Sequence, residues 1–319
     1  VLHPKKLSTR LILLASLHCH LSVAAPFAYI SNQLGDSVSI IDTAKRTVVD
    51  TVTVTGKPAG VAVAPAGDRV YISTPENQGF AVIDTQSHKV LNTVKVSAGA
   101  LGITVAPDGQ RIYVADWYAN TVSAVSAKTL TVLQTITVGE SPSGLVVSPD
   151  NRWLYVANRG SNSVSKIATD TLTVKQTTAV GTHPFGIIAT QSGDRLYVAN
   201  VESDDVTVLA TATLKVIATI KVGNLPYAVA LAQNDSRLLV TNQVDNTVSV
   251  IDTESFKCVA VIDVGEKPEG IATHPNDRLV YVANWFDSTV SVLDAKSLKT
   301  VDTIKVGEGA RGFGQFFSK

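Results

Sequence analysis

Short apolar runs, each closed by a cluster of Gly, Pro, Asn, Asp or Ser, recur along the chain from Phe27 onward. One stretch shows the pattern. Gly144–Ser148 is a compact apolar run, followed by the turn residues Pro149-Asp150-Asn151. Trp153–Ala157 is a second run ending at Asn158, Ser163–Ala168 a third, and Thr173–Val180 a fourth that reaches Gly181. Runs of this length between turn-forming residues predict antiparallel hairpins. Abundant Val and Thr agree, because branched side chains suit a pleated, half-buried surface. No sustained helical period occurs beyond the first 25 residues, so the prediction is all-β.

The runs repeat every 42 residues without slippage. One column holds Tyr29, Tyr71, Tyr113, Tyr155, Tyr197, Leu239 and Tyr281; another holds Gly60, Gly102, Gly144, Gly186, Ala228, Gly270 and Gly312. A third, from Val54 to Val306, is valine in every copy. Seven in-phase copies of four strands predict a seven-bladed β-propeller of four-stranded antiparallel blades. The first run of each copy, such as Val61-Ala62-Val63, has no polar alternation and must be covered on both faces, as blades packed in a ring would cover it. Glycine before that run permits close backbone approach at a crowded hub. The repeat opens on a second-type strand, Phe27–Ser31, and closes on a first-type strand, Gly312–Phe317. One blade should therefore join the N- and C-terminal strands and close the ring, removing exposed edges.

Composition adds a compartment and removes some chemistries. Lys5, Lys6 and Arg10 precede an apolar run from Leu11 to Leu17, and Ser22-Val23-Ala24-Ala25 supplies small residues for cleavage. Residues 1–25 therefore read as a signal peptide, too short for a membrane span, and residues 26–319 as one domain. The expectation is an exported bacterial protein, periplasmic or secreted. Loss of the leader removes three basic and no acidic residues from the 27 of each, leaving 24 against 27. Cys258 is then the one cysteine, which excludes an internal disulfide, two-cysteine haem attachment and a cysteine-based zinc cluster. Five other copies of its column hold valine, Val132 and Val174 among them, so a buried, inert thiol is expected.

The strings YVAN at Tyr155, Tyr197 and Tyr281, VSVID at Val248, TITVG at Thr135 and SPD at Ser148 resemble the YVTN-repeat β-propellers, most of all the YncE-like bacterial group. The resemblance covers the whole chain beyond the leader. It implies the fold and, in many members, a periplasmic setting. It leaves function open among binding proteins, DNA-binding proteins, surface-layer proteins and lactonase-like enzymes.

Columns that scatter are the candidates for function. The residue before the hub glycine is Ala59, Leu101, Ser143, Phe185, Tyr227, Glu269 and Arg311 in turn, a ring of unlike side chains at one channel mouth. Glu269 and Arg311 could instead plug that mouth as an inter-blade ion pair. The loops between second and third strands should share the face. They carry the aromatic pairs Trp117-Tyr118 and Trp285-Phe286, with Arg159, Glu202, Asp204 and Asp205, where flanking copies have Gln33-Leu34 and Gln243-Val244. Exposed aromatics suit stacking on a ligand, a base or a partner. Lys57, His183 and Lys267 share one column and, with Arg159 and Arg311, could form a basic patch. Asn32, Asn158, Asn200, Asn242 and Asn284 are expected to fix turns through backbone bonds.

His88, His183 and His274 fall in different parts of their blades, and no metal site or cofactor is implied. No phosphate-binding glycine loop or nucleophile elbow is present. Three functions follow in order. The first is recognition of a partner protein or small ligand at the mouth. The second is single-stranded nucleic-acid binding by the same aromatics and cations, against which the acidic balance counts. The third is lactonase-type hydrolysis using His183, Glu269 and Arg311 as base, acid and oxyanion partner. A closed ring also predicts a monomer.

Overall fold

The second strands begin at Phe27, Arg69, Arg111, Trp153, Arg195, Arg237 and Leu279, so the 42-residue period becomes the spacing of the blades. The structure is a computed structural model and describes residues 26–318. The expected signal peptide lies outside the described residues. Blades 1 to 6 have inner strands at Gly60–Val63, Ala100–Val105, Pro142–Val147, Pro184–Ala189, Pro226–Ala232 and Pro268–Thr273. Each is followed by three antiparallel strands running outward, and each pairs in sequence order. Blade 7 joins Phe27–Asn32, Ser37–Asp42 and Thr47–Thr53 to the C-terminal segment. Among the described residues the one departure from strand and turn is a single 3-10 turn at Pro75–Asn77.

The expected closure forms. Arg311 N–H donates to Ser31 O, Tyr29 N–H to Phe316 O and Ser318 N–H to Phe27 O, all antiparallel to the first strand. Between these anchors, Phe313–Gln315 pairs parallel with Gly60–Ala62 of blade 1. Gly312 and Gly314 make this crossing possible with φ of +43° and +112°, a backbone region that side chains rarely adopt. The closing segment is thus bonded to blades on both sides of the seam.

The core lies between blades. The tyrosine column is buried at Tyr29, Tyr113, Tyr155, Tyr197 and Tyr281, packed among Val, Ile and Ala of neighbouring sheets. One blade is built differently. Arg111 and Arg195 reach across to the Thr169 and Thr253 carbonyls of the following blades. In blade 3 that column holds Trp153, and Lys166 fills a core column that is otherwise Ile, Val or Ala. Lys166 Nζ donates to Thr211 O at 2.7 Å and lies 4.2 Å from the Trp153 ring centroid. The buried ammonium takes over the arginine's inter-blade bond and gains a π-face.

Two expectations are corrected. Cys258 is exposed, because its column lies on the outermost strand, Lys257–Asp263, beyond which no further strand packs. The five asparagines are buried, and Nδ2 of each reaches side-chain oxygens of the next strand; a backbone bond is found at Asn158, whose Oδ1 accepts from Gly139 N–H at 3.2 Å. Asn158 Nδ2 donates to Ser163 and Ser165 Oγ at 3.1 and 2.9 Å, and the other four repeat the geometry.

Candidate functional site

The chain approaches the hub through a left-handed residue. Lys57, Ser141, His183, Leu225 and Lys267 all have φ near +50°, and each N–H donates to an Asp or Asn side chain of the preceding blade. The cationic column is therefore a turn position stapled between blades. Asp204 is one of the staples, accepting from Leu225 N–H at 2.9 Å, while Asp205 accepts from Asn200 Nδ2 at 2.8 Å. The two adjacent carboxylates serve separate bonds.

The next residues enter the mouth. A methyl group built on Gly60 or Gly186 would lie 2.7 Å from the carbonyl oxygen of Leu101 or Tyr227, and those on Gly102, Gly144 and Gly270 would meet Ser143, Phe185 and Arg311. Leu101, Ser143, Phe185, Tyr227 and Arg311 are thus held by their own backbone against the glycine of the preceding blade. Ser31, Ser73 and Thr241 hydroxyls tie down the carbonyls of Ala59, Leu101 and Glu269 from the second strands.

A pocket of about 560 Å³ opens over this ring. Its floor is aromatic. Phe185 and Tyr227 stack with centroids 4.0 Å apart, and Phe313 and Trp117 meet Phe185 at 5.4 and 6.4 Å. Arg159 lies 5.5 Å from the Trp117 ring, a cation–π arrangement. Arg311 donates from Nη2 to Tyr227 Oη at 2.6 Å and pairs through Nε with Glu269 Oε2 at 2.8 Å. Gln243 donates to the other Glu269 oxygen at 3.1 Å. Burial pushes Glu269 above the usual carboxylate range, against the pull of Arg311 and Gln243. Burial would lower Arg311, but Glu269 and Tyr227 outweigh it and hold the guanidinium charged. Burial also raises the Tyr227 phenol, which keeps its own proton to donate. Beneath this layer the inner strands line a narrower cavity of about 180 Å³.

Of the residues expected from sequence, Phe185, Tyr227, Arg311, Trp117, Tyr118 and Arg159 line the pocket. Glu269 stands behind Arg311 as its counter-ion. His183 is turned to Glu202 Oε1 at 2.6 Å, and Trp285 bonds Gln33 at 3.3 Å. Phe286 is 66% exposed beyond Trp285, outside the lining. The basic patch is largely neutralised: Lys57 pairs with Asp36, His183 and Arg159 with Glu202, and Arg311 with Glu269. Gln33 and Gln243, named from the sequence only as plain copies beside the aromatic pairs, also line the pocket, as do Pro75 and Val201, which the sequence did not single out. They share a column with Trp117, Arg159 and Trp285, so that column scatters as widely as the mouth ring and marks a second tier of the same site.

A family profile described as "Lactonase, 7-bladed beta-propeller" matches residues 80–213, less than half of the chain. Comparison with curated proteins gives no match. Among solved structures, Kuenenia stuttgartiensis hydrazine synthase is similar at 23% identity with a TM-score of 0.77, covering 83% of this chain and 91% of that one. A functionally unknown protein from Desulfotomaculum acetoxidans is similar at 17% and 0.80, covering 90% and 97%. The dihydro-heme d1 dehydrogenase NirN in complex with DHE is similar at 15% and 0.67, covering 88% of this chain and 64% of that one. The likeness is one of fold.

Proposed function

We propose that the protein is a recognition module that binds a small, flat, largely apolar ligand, or the aromatic side chain of a partner protein, in the channel mouth. The observation that carries this reading is the stacked Phe185–Tyr227 floor under Trp117, enclosed by polar groups already paired with one another. Such a pocket offers an apolar face with a few fixed polar contacts, the usual build of a small-ligand site. The leader-like residues 1–25 support an exported, periplasmic or secreted protein.

Hydrolysis is the second reading, favoured by the lactonase profile over residues 80–213. Glu269 is engaged by Arg311 and Gln243, and His183 by Glu202, so a hydrolase would have to release one of them first. The carboxylates beside Lys57, Arg159, His183 and Arg311 count against nucleic acid, whose phosphates need unneutralised cations.

A thermal-shift and calorimetric screen of flat aromatic compounds, lactones and single-stranded oligonucleotides at low salt separates the three. We expect an aromatic binder whose affinity drops roughly tenfold in Trp117→Ala, the loss of one stacking partner. Turnover of any lactone that vanishes in Arg311→Ala would replace this reading with hydrolysis. Aromatic ligands that bind equally well to Trp117→Ala would remove the mouth as their site.

A further inference from the structure

Phe286 is an aromatic residue that the mouth leaves out. It stands at the second position of the loop between second and third strands, a column that reads Leu34, Glu76, Tyr118, Gly160, Glu202, Val244 and Phe286. Tyr118 is set apart by Glu76 and Gly160 on the neighbouring blades. Val244, Phe286 and Leu34 instead follow one another on blades 5, 6 and 7, and they are 49%, 66% and 51% exposed. A single exposed apolar side chain is ordinary, but adjacent ones rimmed by polar groups mark an interaction surface.

The three loops are bonded into a row. Lys267 N–H donates to Asn246 Oδ1 at 2.9 Å and Gly309 N–H to Ser288 Oγ at 3.3 Å, so the loops of blades 5 and 6 are each tied to the approach of the next blade. Phe286 N–H in turn donates to Glu266 O at 3.2 Å, and Leu34 N–H to Glu308 O at 3.1 Å. A glutamate is thus fixed beside each of these two apolar residues, while exposed Asp245 and Asp287 directly follow Val244 and Phe286. Asp245 and Asp287 accept N–H bonds from Asn224 and Glu266, both at 2.7 Å, and keep their negative charge. None of the four carboxylates has an ion-pair partner among the described residues. Across residues 243–246, 265–267, 285–288, 307–309 and 33–36 the one cation is Lys267.

We propose that the crest formed by Val244, Phe286 and Leu34 is a docking surface for a cationic, amphipathic segment of a partner protein, in which Lys or Arg alternates with apolar residues. The apolar side chains of that segment cover Phe286 and its neighbours, and its cations meet Asp245, Glu266, Asp287 and Glu308. A partner whose charge complements the rim is steered to it, and its binding weakens as salt rises. The same carboxylates repel phosphates, which sets the crest apart from a nucleic-acid or anionic-bilayer site. None of the three crest residues lines the mouth pocket, so the proposal does not rest on a ligand there.

Fluorescence anisotropy with a short labelled peptide of alternating Leu and Lys tests it. We expect binding at low salt that fades as salt is added, and little binding of the Leu/Glu and Ser/Lys counterparts. Phe286→Ser should weaken binding roughly tenfold, as loss of a central anchor does, whereas Phe286→Leu stays near the parent. Glu266→Lys/Glu308→Lys should weaken it by a similar factor, because like charges then meet across the surface. Val132→Ser, which removes an exposed apolar side chain from an outer strand, should leave it unchanged. Circular-dichroism melts confirm that each variant is folded. The proposal is overturned by no binding, by a Ser/Lys peptide that binds as tightly as the Leu/Lys one, or by binding indifferent to Phe286→Ser or to the charge reversal. A dimer of the parent protein in sedimentation velocity that Phe286→Ser dissolves would assign the crest to a second copy and overturn it as well.

Discussion

Gly60, Gly102, Gly144, Gly186 and Gly270 each face a carbonyl oxygen of the blade that follows, and this missing Cβ sets how closely the mouth residues can gather. At Gly186 the added carbon of an alanine would lie 2.7 Å from both Tyr227 O and Ala228 Cα. We expect Gly186→Ala to destabilise the fold by about 1–3 kcal/mol, the usual cost of overpacking, measured by urea unfolding. It should also loosen the Phe185–Tyr227 stack; an unchanged midpoint would mean the blades have room to part. The glycine column was fully legible in the sequence, because a repeat displays its scaffold by agreement. Residues that act one at a time were less so. Cys258 shares a column with valines, and valine is equally at home in a core and on an outer strand, so the column could not show its exposure. The asparagines were seen as turn residues, but the side-chain oxygens their Nδ2 groups reach lie five and seven positions further on, across a hairpin whose register only the fold supplies.

At the scale of the strand and its turn, Asp42, Asp84, Asp252 and Asp294 close the hairpins between third and outer strands. Their carboxylates accept backbone N–H bonds from the turn and pair with Lys45, Arg69, Arg237 and Arg278. Asp252 is held down at about 2, first by the Ser255 N–H. Burial opposes ionisation of Asp294, but Arg278 and the Ser297 and Lys296 N–H groups outweigh it and bring it to about 2 as well. A carboxyl depressed in the fold stabilises it above the unfolded value of roughly 4 and loses that contribution as pH falls through the folded value. The melting temperature should therefore decline between about pH 4 and pH 2. Asp252→Asn should melt lower at neutral pH and show a smaller acid decline; equal curves for the two proteins would show that this turn is indifferent to its charge. The strands themselves were legible to within a residue or two. Their bulges were not: the inner strands break register at Pro142/Leu145 and its equivalents, and a one-residue slip leaves no mark in hydrophobicity.

For the whole molecule, the seven-fold period made the closed ring readable, and the chain's two ends made the seam readable. What the period could not show was the parallel pairing of Phe313–Gln315 with blade 1, since it departs from the repeat. Truncation before Gly312 removes that bridge and Phe316 and Phe317 from the core. It should lower the melting temperature markedly and expose the Gly60–Val63 edge; a truncated protein that melts like the parent would show that the ring holds without its last strand. The candidate site was half legible, because its inner tier scatters visibly while Gln33, Pro75 and Val201 look ordinary one copy at a time.

The seam also runs through the pocket. Arg311 and Phe313 belong to the closing segment, whereas Tyr227, Phe185 and Glu269 belong to blades that are continuous with the rest of the chain. A molecule lodged in the mouth would touch both sides of the join and act as a rivet, so that occupancy and ring opening compete. Amide hydrogen exchange at Phe313–Gln315 should accordingly slow when the mouth is filled, while exchange in the blade 3 strands, remote from the join, stays as it was.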